Sequence, residues 1–422
     1  MSNYTKLCLV FISMLAFAFF ASCVSSGTTE NNPVEDSAEF KVHDPPVFML
    51  ESTKKIPSDA ISKQGTQYDF INAYHYDESF GLFAFGHKNR TGRAIPADSK
   101  SNSGINEEPG EPYIEAKPPT VTFVGDILLD RGTKDLYASK GFVGLFLDDG
   151  RLGSTDILMA NLEFPFSNRG EPQDKTWVFR CNPKHIGFLS DMGIGVVSLG
   201  NNHSLDYGRD ALLDTLDLLD LNDIAYVGAG RNLDDASNFR IFEVNGRKIA
   251  FLGASRVVPY VSWYAQKNRP GVFTTYDPAP LLERIRIASV EADYVVVYVH
   301  WGVEKESHPE GWQRTLAKRY IDAGASCVVG SHPHVLQGIE FYEGIPIIYS
   351  LGNFIWPDAS KDTMTLDITF GDEIIVAVNP YTIKNLKTTI ADGKDRERIL
   401  EHLRDISFYV EIGGDGLVRQ KQ

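Results

Sequence analysis

Between residues 120 and 334 the chain repeatedly runs apolar and then stops on a polar residue. Thr120-Val121-Thr122-Phe123-Val124 stops at Gly125-Asp126, residues 157–160 at Asn161-Leu162-Glu163, and residues 194–199 at Gly200-Asn201-Asn202-His203. Residues 294–299 stop at His300-Trp301-Gly302, and Cys327-Val328-Val329 leads to His332-Pro333-His334. Runs this short, apolar and β-branched are too continuous for strands with one wet face, so they predict central strands covered on both sides. In open α/β sheets the ligand crevice lies beyond the carboxyl ends of the strands, where all these polar stops fall.

The remaining pattern alternates between helix and hairpin. Leu212, Leu213, Leu216 and Leu219 have helical spacing within 209–221, a second helix is predicted over 312–323, and Tyr226-Val227 continues the strands. Residues 241–244 and 248–252 flank Asn245-Gly246, a pair that tolerates the positive φ of a type I′ turn. A second hairpin, 339–342 with 345–349, is predicted around Glu343-Gly344. Parallel and antiparallel signals together predict two sheets packed face to face with helices outside.

The N-terminus changes the cellular picture. Lys6 precedes an apolar stretch at 7–21 that is short for a membrane span, and small residues follow before Cys23. Phe20-Ala21-Ser22-Cys23 resembles a bacterial lipoprotein cleavage box with Phe where Leu is usual, which makes Cys23 the expected lipidation site. The expectation is a membrane-anchored lipoprotein of the cell envelope, facing outside the cytoplasm, with an ordinary secretory signal or an uncleaved anchor as the alternatives. The chain then divides into a signal segment (1–23), a polar tether and N-terminal region without motifs (24–119), a main domain (120–412) and a tail (413–422). A Pro- and Glu-containing stretch at 97–119 is the linker into the main domain.

With 422 residues and 43% hydrophobic content, the chain can bury an enzyme-sized core. A net charge of -15 argues against a nucleic-acid surface, which needs a concentrated basic face. Outside the leader only Cys181 and Cys327 remain, and Cys327, inside a predicted core strand, reads as a small buried hydrophobe. No disulfide or thiolate ligand is assigned.

Each polar stop has an ordinary explanation. Asp126 suits a turn, Glu163 a solvated loop, and Asn201 or Asn202 a helix cap placed several residues early. His300 at the end of an apolar strand is different, because a ring nitrogen there needs a partner. His332 and His334, two apart, face the same side in an extended segment. Taken jointly, the stops predict one metal centre.

The series Gly125-Asp126, Asn161-Leu162-Glu163, Gly200-Asn201-Asn202-His203-Ser204-Leu205-Asp206-Tyr207-Gly208, His300-Trp301-Gly302-Val303-Glu304, Gly330-Ser331-His332-Pro333-His334 and Tyr349-Ser350-Leu351-Gly352-Asn353-Phe354 resembles the CapA family of capsule and poly-γ-glutamate synthesis proteins. That family is similar to the calcineurin-like metallophosphoesterases. The resemblance covers 120–412, including strands near 366–370 and 374–378 and a closing helix near 394–406. It implies a four-layer α/β/β/α sandwich with metal at the sheet edge. Asp126 and Glu163 would be carboxylate ligands, Glu163 bridging, with Asn202 an amide ligand and His300, His332 and His334 completing the set. His203 would be the catalytic proton donor or phosphate contact, and Asn201, Asp206, Glu304, Ser331 and Asn353 would support the ligands from behind.

One departure stands out: the family commonly has His where this chain has Ser331. A ligand at 331 would leave the site weakened, whereas ligands at 332 and 334 reproduce the phosphoesterase His-x-His spacing. Imidazole, carboxylate and amide donors without thiolate suit two Mn, Fe or Zn ions better than Mg or Ca. The implied activity is metal-dependent hydrolysis of a phosphoester or related bond by an activated water. A non-catalytic polymer-binding or export factor on the same fold is the alternative. Expected partners are an anionic surface polymer or its precursors, capsule-synthesis membrane proteins and, through the lipid, the membrane. Trp177, Trp263, Tyr264, Trp301 and Trp356 either line a groove or pack.

Overall fold

The computed structural model describes residues 117–147, 150, 152–357 and 360–421. The leader with Cys23, the tether and the linker before 117 lie outside the described residues. The chain runs β1 (Thr120–Ile127), α1 (Arg131–Lys140), α2 (Phe142–Leu145), β2 (Ile157–Leu162), α3 (Gly187–Met192), β3 (Val196–Ser198), α4 (Gly208–Leu221), β4 (Ala225–Val227) and β5 (Ala229–Gly230). There follow α5 (Leu233–Ser237), β6 (Arg240–Val244), β7 (Arg247–Ser255), β8 (Gly271–Val272), α6 (Ala279–Glu291), β9 (Tyr294–His300), α7 (Gly311–Asp322), β10 (Cys327–Ser331), β11 (Leu336–Tyr342) and β12 (Ile345–Leu351). The last elements are β13 (Asn353–Ile355), β14 (Ser360–Phe370), β15 (Ile374–Lys384), β16 (Lys387–Ile390), α8 (Gly393–Ile406), β17 (Val410–Ile412) and β18 (Leu417–Gln420).

Two mixed sheets carry the domain. The larger has the order β17-β18-β15-β14-β1-β2-β3-β4, with β13 on β1 and β16 on β15; the smaller is β11-β12-β10-β9-β7-β6. Strand alternation sorts the side chains into layers. In β9, Val295, Val297 and Val299 cluster with Leu281 and Ile285 of α6 and with Leu316 and Tyr320 of α7. Val296 and Tyr298, pointing the other way, share a core with Phe123 and Met159 of the larger sheet. On that sheet Leu158 and Ala160 meet Leu189 of α3 and Leu212 and Leu216 of α4. Three apolar layers therefore separate helix, sheet, sheet and helix, the α/β/β/α sandwich. Each fully buried aliphatic side chain contributes roughly 1.5–3 kcal/mol, which explains why these strands are apolar on both faces. One polar tie crosses the central layer: the Tyr298 hydroxyl donates to the Val124 carbonyl at 3.3 Å.

Both hairpins form. Val244 pairs with Arg247 around Asn245 (φ 53) and Gly246 (φ 76), and Tyr342 with Ile345 around Glu343 (φ 50) and Gly344 (φ 78). Helix α4 begins at Gly208 behind Tyr207, so neither Asn201 nor Asn202 caps it. Cys181 and Cys327 are buried free thiols. The residues past 412 are more than a tail: β18 pairs with both β15 and β17 and extends the larger sheet. Helix α6 carries Leu281, Leu282, Ile285 and Ala288 on its buried face, a helix missing from the sequence-based expectation although its period is legible.

Candidate metal centre

The site starts with a close backbone approach. A Cβ on Gly125 would lie 1.8 Å from the Gly352 carbonyl oxygen, and the Asp126 N–H donates to that oxygen at 2.9 Å. Glycine is required for β1 to pass there. In register across the sheet, Asp126 lies beside Asn161, and in the smaller sheet Ser331 lies beside His300. The Asn161 amide then donates to Asp126 Oδ1 at 2.8 Å and to Glu163 Oε2 at 3.2 Å, clamping the two carboxylates together. Among the described residues their other oxygens, Asp126 Oδ2 and Glu163 Oε1, are buried without a hydrogen bond.

Imidazoles surround those bare oxygens. Glu163 Oε1 lies 3.8 Å from Nε2 of His203, of His300 and of His334. Asp126 Oδ2 is 3.1 Å from His334 Nδ1, which also lies 2.8 Å from Asn353 Oδ1. His300 Nε2 is 2.8 Å from Asn202 Oδ1, and its Nδ1 is 2.9 Å from Ser331 Oγ. His332 Nδ1 is buried and unpartnered, with its ring 4.7 Å from that of His300 and 5.8 Å from that of His334. Three donor groups each lie within 4.8 Å: Glu163, His300 and His332; Asp126, Glu163 and His334; and Glu304, His332 and His334. Two ligands about 2.1 Å from one ion sit roughly 3–4 Å apart, so bare oxygens and nitrogens at these spacings fit a divalent cation.

All six expected ligands, Asp126, Glu163, Asn202, His300, His332 and His334, therefore converge, but not entirely as the sequence suggested. His332 (φ 98) and His334 (φ 58) have left-handed backbones, so they converge through a strained turn and not by strand alternation. Glu304 is an exposed carboxylate grouped with His332 and His334, a donor candidate and not a residue behind the ligands. Asn201 is a brace: its amide donates to Asn161 Oδ1 at 3.0 Å and the Leu162 carbonyl at 2.8 Å, while its oxygen accepts from the His203 N–H at 2.9 Å.

Burial sets the charge state. It pushes His300 well below the ordinary imidazole range, and it takes His332 down to about 3, with neighbouring imidazoles adding to both effects. His334 goes the other way: burial opposes its charge, but Glu163 and Asp126 outweigh it and hold the ring up to about 9. Glu163 itself is pushed up, first by burial and then by Asp126. His300 and His332 are thus neutral lone-pair donors, as metal ligands must be.

His203 has its own support. Asp206 Oδ2 lies 2.6 Å from its Nδ1 and also accepts the Phe179 N–H at 2.7 Å, while burial lowers the ring's pKa against the pull of Asp206. Lys175, absent from the sequence-based set, donates to Asp206 Oδ1 at 2.7 Å and to the Asn202 carbonyl at 2.6 Å. Nothing periodic marks it in its loop. The Phe179 ring packs at a 32° tilt against His203 with centroids 4.4 Å apart, and the Trp356 ring at 42° against His334 at 4.6 Å. Of the aromatics considered above, Trp263 and Trp301 are core residues, Tyr264 stacks on Tyr276, and Trp177 is exposed at the rim.

A mixed α/β sandwich with carboxylate and imidazole donors gathered at its strand ends defines the class of protein. The sequence profile of "Bacterial capsule synthesis protein PGA_cap" matches residues 120–358, and the chain belongs to that capsule and poly-γ-glutamate synthesis family, CapA. It is 37% identical over 241 residues to "PGA biosynthesis protein CapA" of Bacillus subtilis (strain 168), a match covering 56% of this chain and 63% of that protein, less than two thirds of the relative's length. With "Capsule biosynthesis protein CapA" of Bacillus anthracis it shares 32% identity over 299 residues, 67% of this chain and 72% of the relative. Among solved structures, a hypothetical protein from Thermus thermophilus aligns with a TM-score of 0.39 and 18% identity, covering 62% of this chain and 98% of that one.

Proposed function

We propose that the chain is an envelope-anchored, metal-dependent hydrolase of capsule or poly-γ-glutamate-type polymer biosynthesis, cleaving a phosphoester or related bond with water. The observation that carries this reading is Glu163 Oε1, buried, unpartnered and 3.8 Å from three imidazole nitrogens. Asp126, Glu163, Asn202, His300, His332 and His334 would hold the metal, with Glu163 shared between two of the donor groups as a bridging carboxylate would be. Two Mn, Fe or Zn ions there would supply Lewis acidity and bring the pKa of water toward neutrality.

His203 handles the proton. Asp206 would hold Nδ1 and leave Nε2 as the atom that carries a proton from solvent and gives it to the leaving atom as the bond breaks. Lys175 fixes Asp206 and the Asn202 carbonyl, keeping ring and amide in place. Among the described residues no helix is long and apolar enough to cross a membrane, and the proposed anchor is lipid on Cys23. The proposed partners are an anionic surface polymer or its precursors and the membrane proteins that assemble it.

The test is turnover of a phosphodiester and of a γ-linked glutamate oligomer by the metal-loaded protein, against a chelator-stripped control. Metal-dependent cleavage of either supports the reading. Saturable polymer binding without cleavage replaces it with the non-catalytic export factor.

A further inference from the structure

Arg131 opens α1, a short step beyond the strand end that delivers Asp126, and its backbone is left-handed at φ 51. Its exposed guanidinium lies 4.8 Å from the ring centre of Trp177 and 5.4 Å from that of Phe179. Several other arginines of this acidic chain sit on carboxylates, Arg169 on Asp214, Arg231 on Asp217 and Asp220, Arg314 on Glu340 and Arg398 on Asp362, whereas Arg256 lies over Tyr276 and Trp312 and is held by backbone carbonyls. Among the described residues no carboxylate pairs with Arg131, and the adjacent Asp130 faces Lys134 instead at 3.7 Å.

Phe179 joins this cation to the candidate centre. Its ring packs at a tilt against His203, and its N–H is held by the same Asp206 that lies on His203 Nδ1. One phenyl ring thus separates a guanidinium that no described carboxylate pairs with from the imidazole proposed to handle the proton. A guanidinium lying on aromatic faces keeps its planar fork of N–H donors available at the edge, the geometry that takes a carboxylate or phosphate through two parallel hydrogen bonds. The aromatic faces also fix the side chain in advance, so little rotamer freedom is lost when an anion arrives.

We propose that Arg131, with Trp177 as its plate, receives an anionic group of the substrate, a carboxylate or phosphate flanking the bond that is cleaved. The proposal rests on the hydrolytic reading of the neighbouring centre and deepens it: the substrate carries a negative charge next to the reacting one.

The experiment is calorimetric binding to the metal-loaded full chain, with inorganic phosphate and a short γ-linked glutamate oligomer as probes. Arg131→Gln is expected to weaken binding at least tenfold, and Arg131→Lys to recover only part, since lysine keeps the charge without the fork. Arg131→Gly, which accepts φ 51 without strain, provides the same loss in a variant that folds at least as easily. Bound metal is expected to stay at the wild-type level in all three. Loss confined to the oligomer assigns a carboxylate; loss that includes phosphate assigns a phosphate. Wild-type affinity for both probes in Arg131→Gln and Arg131→Gly, or no binding of either probe by the wild type, overturns the proposal. Binding through Arg131 without any cleavage would remove the hydrolase reading and leave the receptor, whereas cleavage with an unchanged KM in Arg131→Gln would remove the receptor alone.

Discussion

The hydroxyl oxygen of Ser331 lies 2.9 Å from Nδ1 of His300, its partner in the register of β10 and β9. That contact turns Nε2 of His300 toward Asn202 and Glu163. Position 331 is where the resemblance leads one to expect histidine, and here serine serves the neighbouring ring instead of offering a ligand of its own.

Ser331→Ala should therefore leave the number of bound ions unchanged and weaken each by about 10–100-fold, the usual cost of losing a ligand's orienting partner. Titration with Mn or Zn checks it. Undiminished affinity would mean that the serine orients nothing.

His300→Ala and Glu163→Gln strike the donors themselves. Each is expected to abolish tight metal binding, read by elemental analysis after purification without chelator. Full wild-type stoichiometry in both variants would end the metal reading.

The ring of His334, held up to about 9 by Glu163 and Asp126, is protonated at neutral pH, and a metal must displace that proton. Apparent metal affinity should thus rise by about tenfold per pH unit below 9 and level off above it. Mn binding measured between pH 6 and 9 tests the slope, and a flat profile contradicts it.

Lys175→Met removes the amine from fully buried Asp206. Breaking a buried pair in this way costs roughly 3–5 kcal/mol, visible in urea unfolding. The pKa of His203 should move up, because Lys175 is among the charges that depress it; an NMR titration of the ring reports the shift.

Gly125→Ala places a methyl 1.8 Å from the Gly352 oxygen. The strands must part, at a cost of about 1–3 kcal/mol. Because Asp126 is the next residue, metal affinity should fall together with the unfolding midpoint.

Much of this is legible where chemistry and periodicity coincide. Apolar runs mark buried strands, and the polar residue that ends each run falls at the sheet rim, so Asp126, Glu163, His300 and His332 stand out in the chain alone. Asn245-Gly246 marks its hairpin for the same local reason. What stays hidden depends on distant parts of the chain meeting. Lys175, Phe179 and Arg131 lie in loops or at a helix start without repeating pattern, and only the fold brings Lys175 and Phe179 beside His203 and Arg131 against Phe179. The two asparagines at 201 and 202 are identical side chains with opposite fates, one a brace and one facing His300, and sequence alone does not separate them.

The Tyr298 hydroxyl on the Val124 carbonyl works as the pivot of a caliper. Two residues further along each strand stand His300 and Asp126, one on each jaw. The same buried phenol also hydrogen-bonds to Ser331, which holds His300, so one side chain that is not itself a proposed donor ties both jaws together.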